Sequence, residues 1–241
     1  MNELFICAVD PPPIERPELA IVTSRLWPND GRSLQVGFLD GDPRIHEMIR
    51  GIEAGPSGWS AACGKGFVFG PPETADITVS FRTGSSWSHV GTACAGAHFP
   101  YIAMNLALFS PGASFYDVQR VWLHEAGHSL SFWHEQNSEM AIASLPWDIP
   151  AMRESARLAG IPFSDIEKKW LTPMTYLGLD HPFFDGESIM CYFIPGAWML
   201  DRKPRGGKGT LSAGDVQRAQ EVYGPSKLKI ARHRLPIAAR N

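Results

Sequence analysis

Between Leu34 and Leu39 the chain reads Leu-Gln-Val-Gly-Phe-Leu, an alternation of apolar and polar positions with the two-residue period of a strand. The period then changes. From Pro43 to about Ile52, the residues Ile45, Met48, Ile49 and Ile52 fall on one face of a helix, and Gly55-Pro56-Ser57-Gly58 ends it. Phe67-Val68-Phe69 and Ile77-Thr78-Val79-Ser80-Phe81 predict two more strands, and Tyr101 to Leu106 a short fourth. A long helix is expected from Phe115 to Leu130. These elements make an α/β upper lobe. Downstream the pattern loosens: Met152 to Ala159 and Asp165 to Trp170 read as short helices parted by Gly160 and Pro162. Asp215 to Tyr223 is a clearer helix, with Ser212 as its N-cap. No internal repeat is present.

The long helix carries the chemistry. Residues 124–135 read His-Glu-Ala-Gly-His-Ser-Leu-Ser-Phe-Trp-His-Glu. His124 and His128 are four apart, so they stack on one helix face, where two imidazoles can grip one metal ion. Glu125 is offset around the helix beside them, the place for a general base acting on the attacking water. His134 can join the other two only if the helix stops soon after His128 and the chain doubles back. Three neutral imidazoles leave the fourth position of a tetrahedral zinc open, the mark of a catalytic site. His46, His89, His98, His181 and His233 lack ligand spacing to one another, and Asp117 sits where a helix dipole favours a negative charge.

A second segment, Ser188-Ile189-Met190-Cys191-Tyr192, completes a pattern. Together the two segments resemble the metzincins, and within them the astacin-like peptidases, which join an extended histidine motif to a Met-turn. Phe132, Glu135, Ser188, Met190 and Tyr192 match the astacin-like form. More loosely, Arg25-Leu26-Trp27-Pro28-Asn29 looks like the family's opening strand, and Leu211 to Gly224 like its closing helix. The resemblance implies an α+β zincin-like (metzincin) fold. Its upper lobe would hold a twisted mixed sheet and two long helices, its lower lobe would be smaller and irregular with a C-terminal helix, and the cleft would lie between.

The same resemblance implies one catalytic zinc held by His124, His128 and His134, with Glu125 as base. Tyr192 becomes an additional ligand in the resting site and an oxyanion stabiliser, and Met190 a hydrophobic floor under the imidazoles. Tyr101 to Leu106 becomes an edge strand that pairs with extended substrate, and Met190 to Asp201, including Trp198, the wall of the pocket beyond the cut. Glu135 would meet a trimmed N-terminus. Two departures stand out. Ser131 replaces the glycine that turns the chain toward the third ligand, and a left-handed serine there costs about 1 kcal/mol. Zinc binding releases on the order of 10 kcal/mol in structural zinc peptides, so the turn is expected to survive. Cys191 stands where many relatives carry His, which bears on local packing.

Composition adds limits. The 241 residues, 44% hydrophobic and 20% charged, can build one sizeable core. A net charge of −3 supplies no general attraction to nucleic acid. The uncharged run from Thr83 to Tyr116 is broken by Gly, Ser and Pro, and its longest apolar part is too short for a bilayer. The expectation is a monomer acting on protein or peptide substrate. Four cysteines allow a Cys63–Cys94 bridge or free thiols, and no C-x-x-C spacing offers a thiolate zinc site. The resemblance implies secretion, yet residues 1–10 lack a signal peptide's basic start and long apolar middle.

The domain reading is therefore a Pro-rich N-terminal arm over 1–24, a catalytic domain over 25–224 and a basic tail over 225–241. By resemblance the arm is a candidate pro-segment whose Cys7 or Asp10 could latch the open metal position. The function expected is a zinc-dependent endopeptidase. An amidase acting on a small substrate, or a zinc-binding interaction protein that cleaves nothing, are the alternatives.

Overall fold

The computed structural model describes residues 21–107, 112–172 and 184–226. Five strands, β1 (Leu34–Phe38), β2 (Phe67–Phe69), β3 (Ile77–Ser80), β4 (Trp87–Ser88) and β5 (Met104–Asn105), form one sheet in the order β2-β1-β3-β5-β4. β2, β1, β3 and β5 run parallel, and β4 closes the edge antiparallel to β5. The alternation in β1 translates directly: Leu34 and Val36 are buried and Gln35 is exposed.

Helix α1 (Pro43–Ala54) is N-capped by Asp42, has Pro at its first position, and buries Ile45, Ile49 and Ile52. These residues share one core with Leu34, Val36, Ile77 and Val79 of the sheet and Val118, Val121 and Trp122 of α3 (Phe115–Ser129). Burying each such aliphatic side chain contributes about 1.5–3 kcal/mol. A short helix, α2 (Trp59–Ala62), sets Trp59 against α3, its indole N–H donating to the Leu123 carbonyl at 2.8 Å.

The lower lobe has α4 (Glu139–Ser144), α5 (Ile149–Ala159) and α6 (Phe163–Trp170), and the chain returns to the upper core through α7 (Ala213–Tyr223). Met152, Ala156, Ile166, Trp170, Ile194 and Met199 build a second, smaller core. The Met-turn crosses the seam: Ile189 and Met190 belong to the large core, Cys191 and Tyr192 to the small one.

Two expectations need correction, one open alternative closes, and one helix is an addition. The segment 101–106 contributes only Met104–Asn105, and β5 is an inner strand; the edge is β4. Thr78 Oγ1 donates to the Tyr101 carbonyl and Tyr101 N–H bonds to His98, so the first residues of that segment are spent on a turn. No strand forms over 25–29. Thr23–Arg25 is a 3-10 turn, and Trp27 instead anchors the segment by donating from Nε1 to the Ser129 carbonyl at 2.7 Å. Cys63, Cys94 and Cys191 are free buried thiols, so the Cys63–Cys94 bridge is not formed. Burial pushes Cys63 up to about 11 and Cys94 to about 12. Finally, α4 had no expected counterpart. The packed body takes in Ile21 and Val22, both buried.

Candidate metal centre

The helix that carries the motif begins with a reciprocal cap: Ser114 Oγ accepts from Asp117 N–H, and the Asp117 carboxylate accepts from Ser114 N–H. From Val118 to Ser129 every residue but Arg120 is buried, so both histidines point into protein. It ends as the third ligand requires. Ser131 N–H bonds the His128 carbonyl at 2.8 Å and Phe132 N–H the Gly127 carbonyl at 3.0 Å, the paired bonds of a Schellman stop.

Ser131 takes the left-handed position of that stop, with φ 71°. Its hydroxyl donates to the Arg25 carbonyl at 2.7 Å, a bond no glycine could make, which offsets the strain. Gly91 makes room for this contact: a Cβ there would lie 2.0 Å from the Arg25 oxygen and 2.1 Å from Ser131 Oγ.

Beyond the stop the chain reverses and brings His134 back. One ligand atom from each of His124, His128 and His134 lies within 4.8 Å of the others, and all three side chains are buried. His124 Nδ1 bonds the Ile189 carbonyl and His128 Nδ1 the Phe132 carbonyl, each at 2.8 Å. Because a carbonyl only accepts, those contacts put the proton on Nδ1 and leave Nε2 its lone pair. Nε2 of His128 and Nε2 of His134 are 3.1 Å apart. Two nitrogens on one tetrahedral zinc, with Zn–N near 2.0–2.1 Å, would be about 3.3 Å apart. Burial pulls His124 down to about 4, and burial plus the neighbouring imidazoles pull His128 and His134 well below the ordinary histidine value. All three are neutral at pH 7, the form that binds metal. The residues present fit one zinc ion.

Glu125 is fully buried on the same helix. Tyr192 places its ring 4.2 Å from that of His134 and 5.6 Å from that of His124, centre to centre. Trp170 and the Lys169 ammonium, 5.4 Å from the Tyr192 ring centre, flank its other sides. Met190 lies under the helix: a Cβ on Gly127 would come 2.4 Å from Met190 Sδ, so that glycine is what lets the turn approach. Trp198 packs edge-on against Trp170 and donates to Ser155 Oγ. Among the other histidines, His46 stacks on Phe38 and bonds the Asp40 carbonyl, away from the triad. Cys7, Asp10, His181 and His233 lie outside the described residues.

Several supporting residues carry no motif. Asp215 of α7 accepts from Ser188 Oγ at 2.6 Å and Ile189 N–H at 2.8 Å, and the Ile189 carbonyl is the one that orients His124. Glu135 pairs with Arg218, and its other oxygen accepts from Asp185 N–H at 2.9 Å. The signal that could have found Gly127 is a glycine inside a helix, which costs about 1 kcal/mol and marks close packing. Arg218 offered no such sign.

No family sequence model matches the chain, and no curated protein matches it by sequence. Solved structures do. One structure of myroilysin is 27% identical, with a TM-score of 0.73 over 84% of this chain and 97% of that one. A second myroilysin structure is 26% identical, with a TM-score of 0.63 over 92% of each chain. High choriolytic enzyme 1, a hatching-enzyme zinc-protease of the medaka Oryzias latipes, is 17% identical with a TM-score of 0.56, covering 84% of this chain and 96% of that one. At that identity the last likeness is one of fold.

Proposed function

We propose that this chain, astacin-like in fold and in its histidine triad, hydrolyses peptide bonds at the zinc site as an endopeptidase. The observation that carries the reading is the convergence of three buried, neutral imidazoles with a buried Glu125 on the helix that bears two of them. The chemistry that a zinc ion held by His124, His128 and His134 would supply is polarisation of the scissile carbonyl and a lowered pKa for water at the site. Glu125 takes the proton of the attacking water and hands it to the leaving amine. Tyr192 donates its phenol O–H to the carbonyl oxygen as negative charge grows there, and its place beside His134 and His124 would let it act as a further ligand for the ion. His124, His128 and His134, neutral at pH 7, would hold the ion.

The test is Glu125→Gln. It keeps shape but accepts no proton, so one zinc per chain should remain while cleavage of a mixed peptide library falls about 10²–10⁴-fold. Chelator should abolish wild-type cleavage, and added zinc should restore it. Near-normal turnover in Glu125→Gln would remove the base from the mechanism. Turnover of small amides with no cleavage of denatured protein would make the chain an amidase instead.

The arm belongs to the same reading. Ile21 bridges to Phe132, and Val22 N–H bonds the Ser131 carbonyl at 2.8 Å, so the described chain starts against the loop that delivers His134. From there a thiolate at Cys7 or a carboxylate at Asp10 is proposed to occupy the open metal position. Peptidase rates of the full chain, Cys7→Ala and Asp10→Ala decide it: equal rates mean no latch.

A further inference from the structure

α7 sits outside the site, yet two of its side chains, three residues apart, hold the segments that adjoin two of the histidines: Asp215 bonds Ser188 and Ile189, and Arg218 bonds Glu135. Asp215 receives Ser188 Oγ and Ile189 N–H, and the carbonyl of the same residue, Ile189, accepts from His124 Nδ1 at 2.8 Å. Met190 N–H bonds Ser188 Oγ, so the turn under the helix hangs on the same carboxylate. One helical turn later, Arg218 Nη1 meets Glu135 Oε2 at 2.5 Å in a pair that is almost wholly buried. Glu135 is bonded in sequence to His134, its N–H donates to the Met190 carbonyl, and Gln136 beside it accepts from Tyr192 N–H. Resemblance gave Glu135 to a trimmed N-terminus. Here both of its oxygens are engaged within the domain, by Asp185 N–H and by Arg218.

We infer that Asp215 and Arg218 are positioning residues for the metal: the first sets His124 through the Ile189 carbonyl, the second sets His134 through Glu135. His134 has the greater need. His124 and His128 are fixed by their own helix, whereas His134 follows a reversal and sits at the start of a 3-10 turn, Glu135–Asn137. A buried charge pair breaks badly when one partner is lost, so the loop should shift when Arg218 goes. The inference rests on the zinc reading above.

Zinc and cobalt(II) ions, added to metal-free full chain, test it. Arg218→Met should weaken zinc binding about 10–100-fold, the usual cost of losing support behind a ligand, and should shift the visible absorption bands of the cobalt form. Arg218→Lys, which keeps the charge, should stay within a few-fold of wild type. Asp215→Asn should weaken zinc about 10-fold, and Arg157→Met, which breaks an exposed pair on α5, should change nothing. Should Arg218→Met fail to fold, the double variant Glu135→Gln/Arg218→Met removes both buried charges and carries the same expected loss. Wild-type protein that binds no zinc overturns the metal reading itself. Wild-type protein that binds it, with Arg218→Met or the double variant equal in affinity and in cobalt spectrum, overturns this inference alone.

Discussion

The two walls of the site are held by different means. The helix wall, α3 with His124 and His128, is locked by apolar packing and one buried carboxylate. Glu53 of α1 accepts from Trp122 Nε1 at 2.7 Å and from Ser60 Oγ and N–H at 2.7 and 3.0 Å, all neutral donors. The return wall, with His134 and the Met-turn, is held by charge: Glu135, Asp185, Asp215 and Arg218 lie in one network with Ser188 and Ser212. Glu53 and Glu135 are equally buried, at 2% exposed each. A helix needs no ion pair to hold two ligands four residues apart. A loop that must reverse and present a third ligand has no such internal frame, and borrows one from α7.

The sharpest way to break the return wall without touching its charges is Gly91→Ala. The new Cβ meets the Arg25 oxygen and Ser131 Oγ at about half a normal contact distance, and the backbone there is left-handed at φ 53°. Strain and overpacking together predict about 3 kcal/mol of destabilisation. Zinc affinity should fall as well, because the Ser131 turn delivers His134. Urea unfolding with and without zinc would check both. Loss of stability with zinc affinity intact would show that the turn and the ligand are uncoupled.

Trp122→Phe is the matching cut in the helix wall. It strands one Glu53 oxygen in the core at a cost of about 2 kcal/mol. Zinc affinity should hold, since the helix itself still spaces His124 and His128. A variant that lost stability and zinc in proportion would erase the distinction between the walls.

What was legible in the sequence follows the same division. That His124 and His128 share a face was legible because helical spacing is local, and the sequence alone assigns it. β1, α1 and α7 were readable for that reason too. The sheet edge was not. Trp87–Ser88 is two residues long in a run of Gly and Ser, with no period to detect, and its place is set by pairing with β5. Arg218 is an ordinary helical arginine by sequence. Its meaning lies in Glu135, eighty-three residues away, and only the folded chain brings them together. Cys63 and Cys94 were open by sequence, since an even count permits a bridge or free thiols, and in the fold each thiol is simply packed.

A smaller effect probes the buried carboxylate of the helix wall by pH. Burial raises the Glu53 carboxyl above its ordinary value, while the bonds from Ser60 and Trp122 pull the other way. A folded value above the unfolded one of about 4.3 means the group's stabilising contribution is full below that pH and is lost as pH rises through the folded value. Glu53→Gln cannot ionise. It also turns an amide N–H toward one of its donors, a fixed cost near 1 kcal/mol that does not vary with pH. The stability of wild type minus that of Glu53→Gln should therefore decrease as pH rises above about 4.3 and then level off. The buried histidines titrate in both proteins and cancel. A difference that is flat with pH would mean Glu53 titrates alike in the folded and unfolded chains.

The smallest effect probes Ser131, where the turn before His134 has a side chain in place of the glycine that the resemblance implies. Ser131 holds φ 71°, which glycine adopts at no steric cost, and compensates with its bond to the Arg25 carbonyl. Ser131→Ala keeps the strain and loses the bond, and should destabilise by about 1 kcal/mol. Ser131→Gly loses the same bond but relieves the strain, at the expense of a more flexible unfolded chain, and should fall within about 1 kcal/mol of wild type. The glycine variant should thus be the more stable of the two. Neither change alters the Schellman bonds from positions 131 and 132, which use backbone N–H groups, so zinc affinity should stay level across all three proteins. Unfolding midpoints in urea, measured with zinc removed, give the order. Alanine equal to or above glycine would mean that position 131 is not left-handed in solution, and the turn that delivers His134 would have to be built another way.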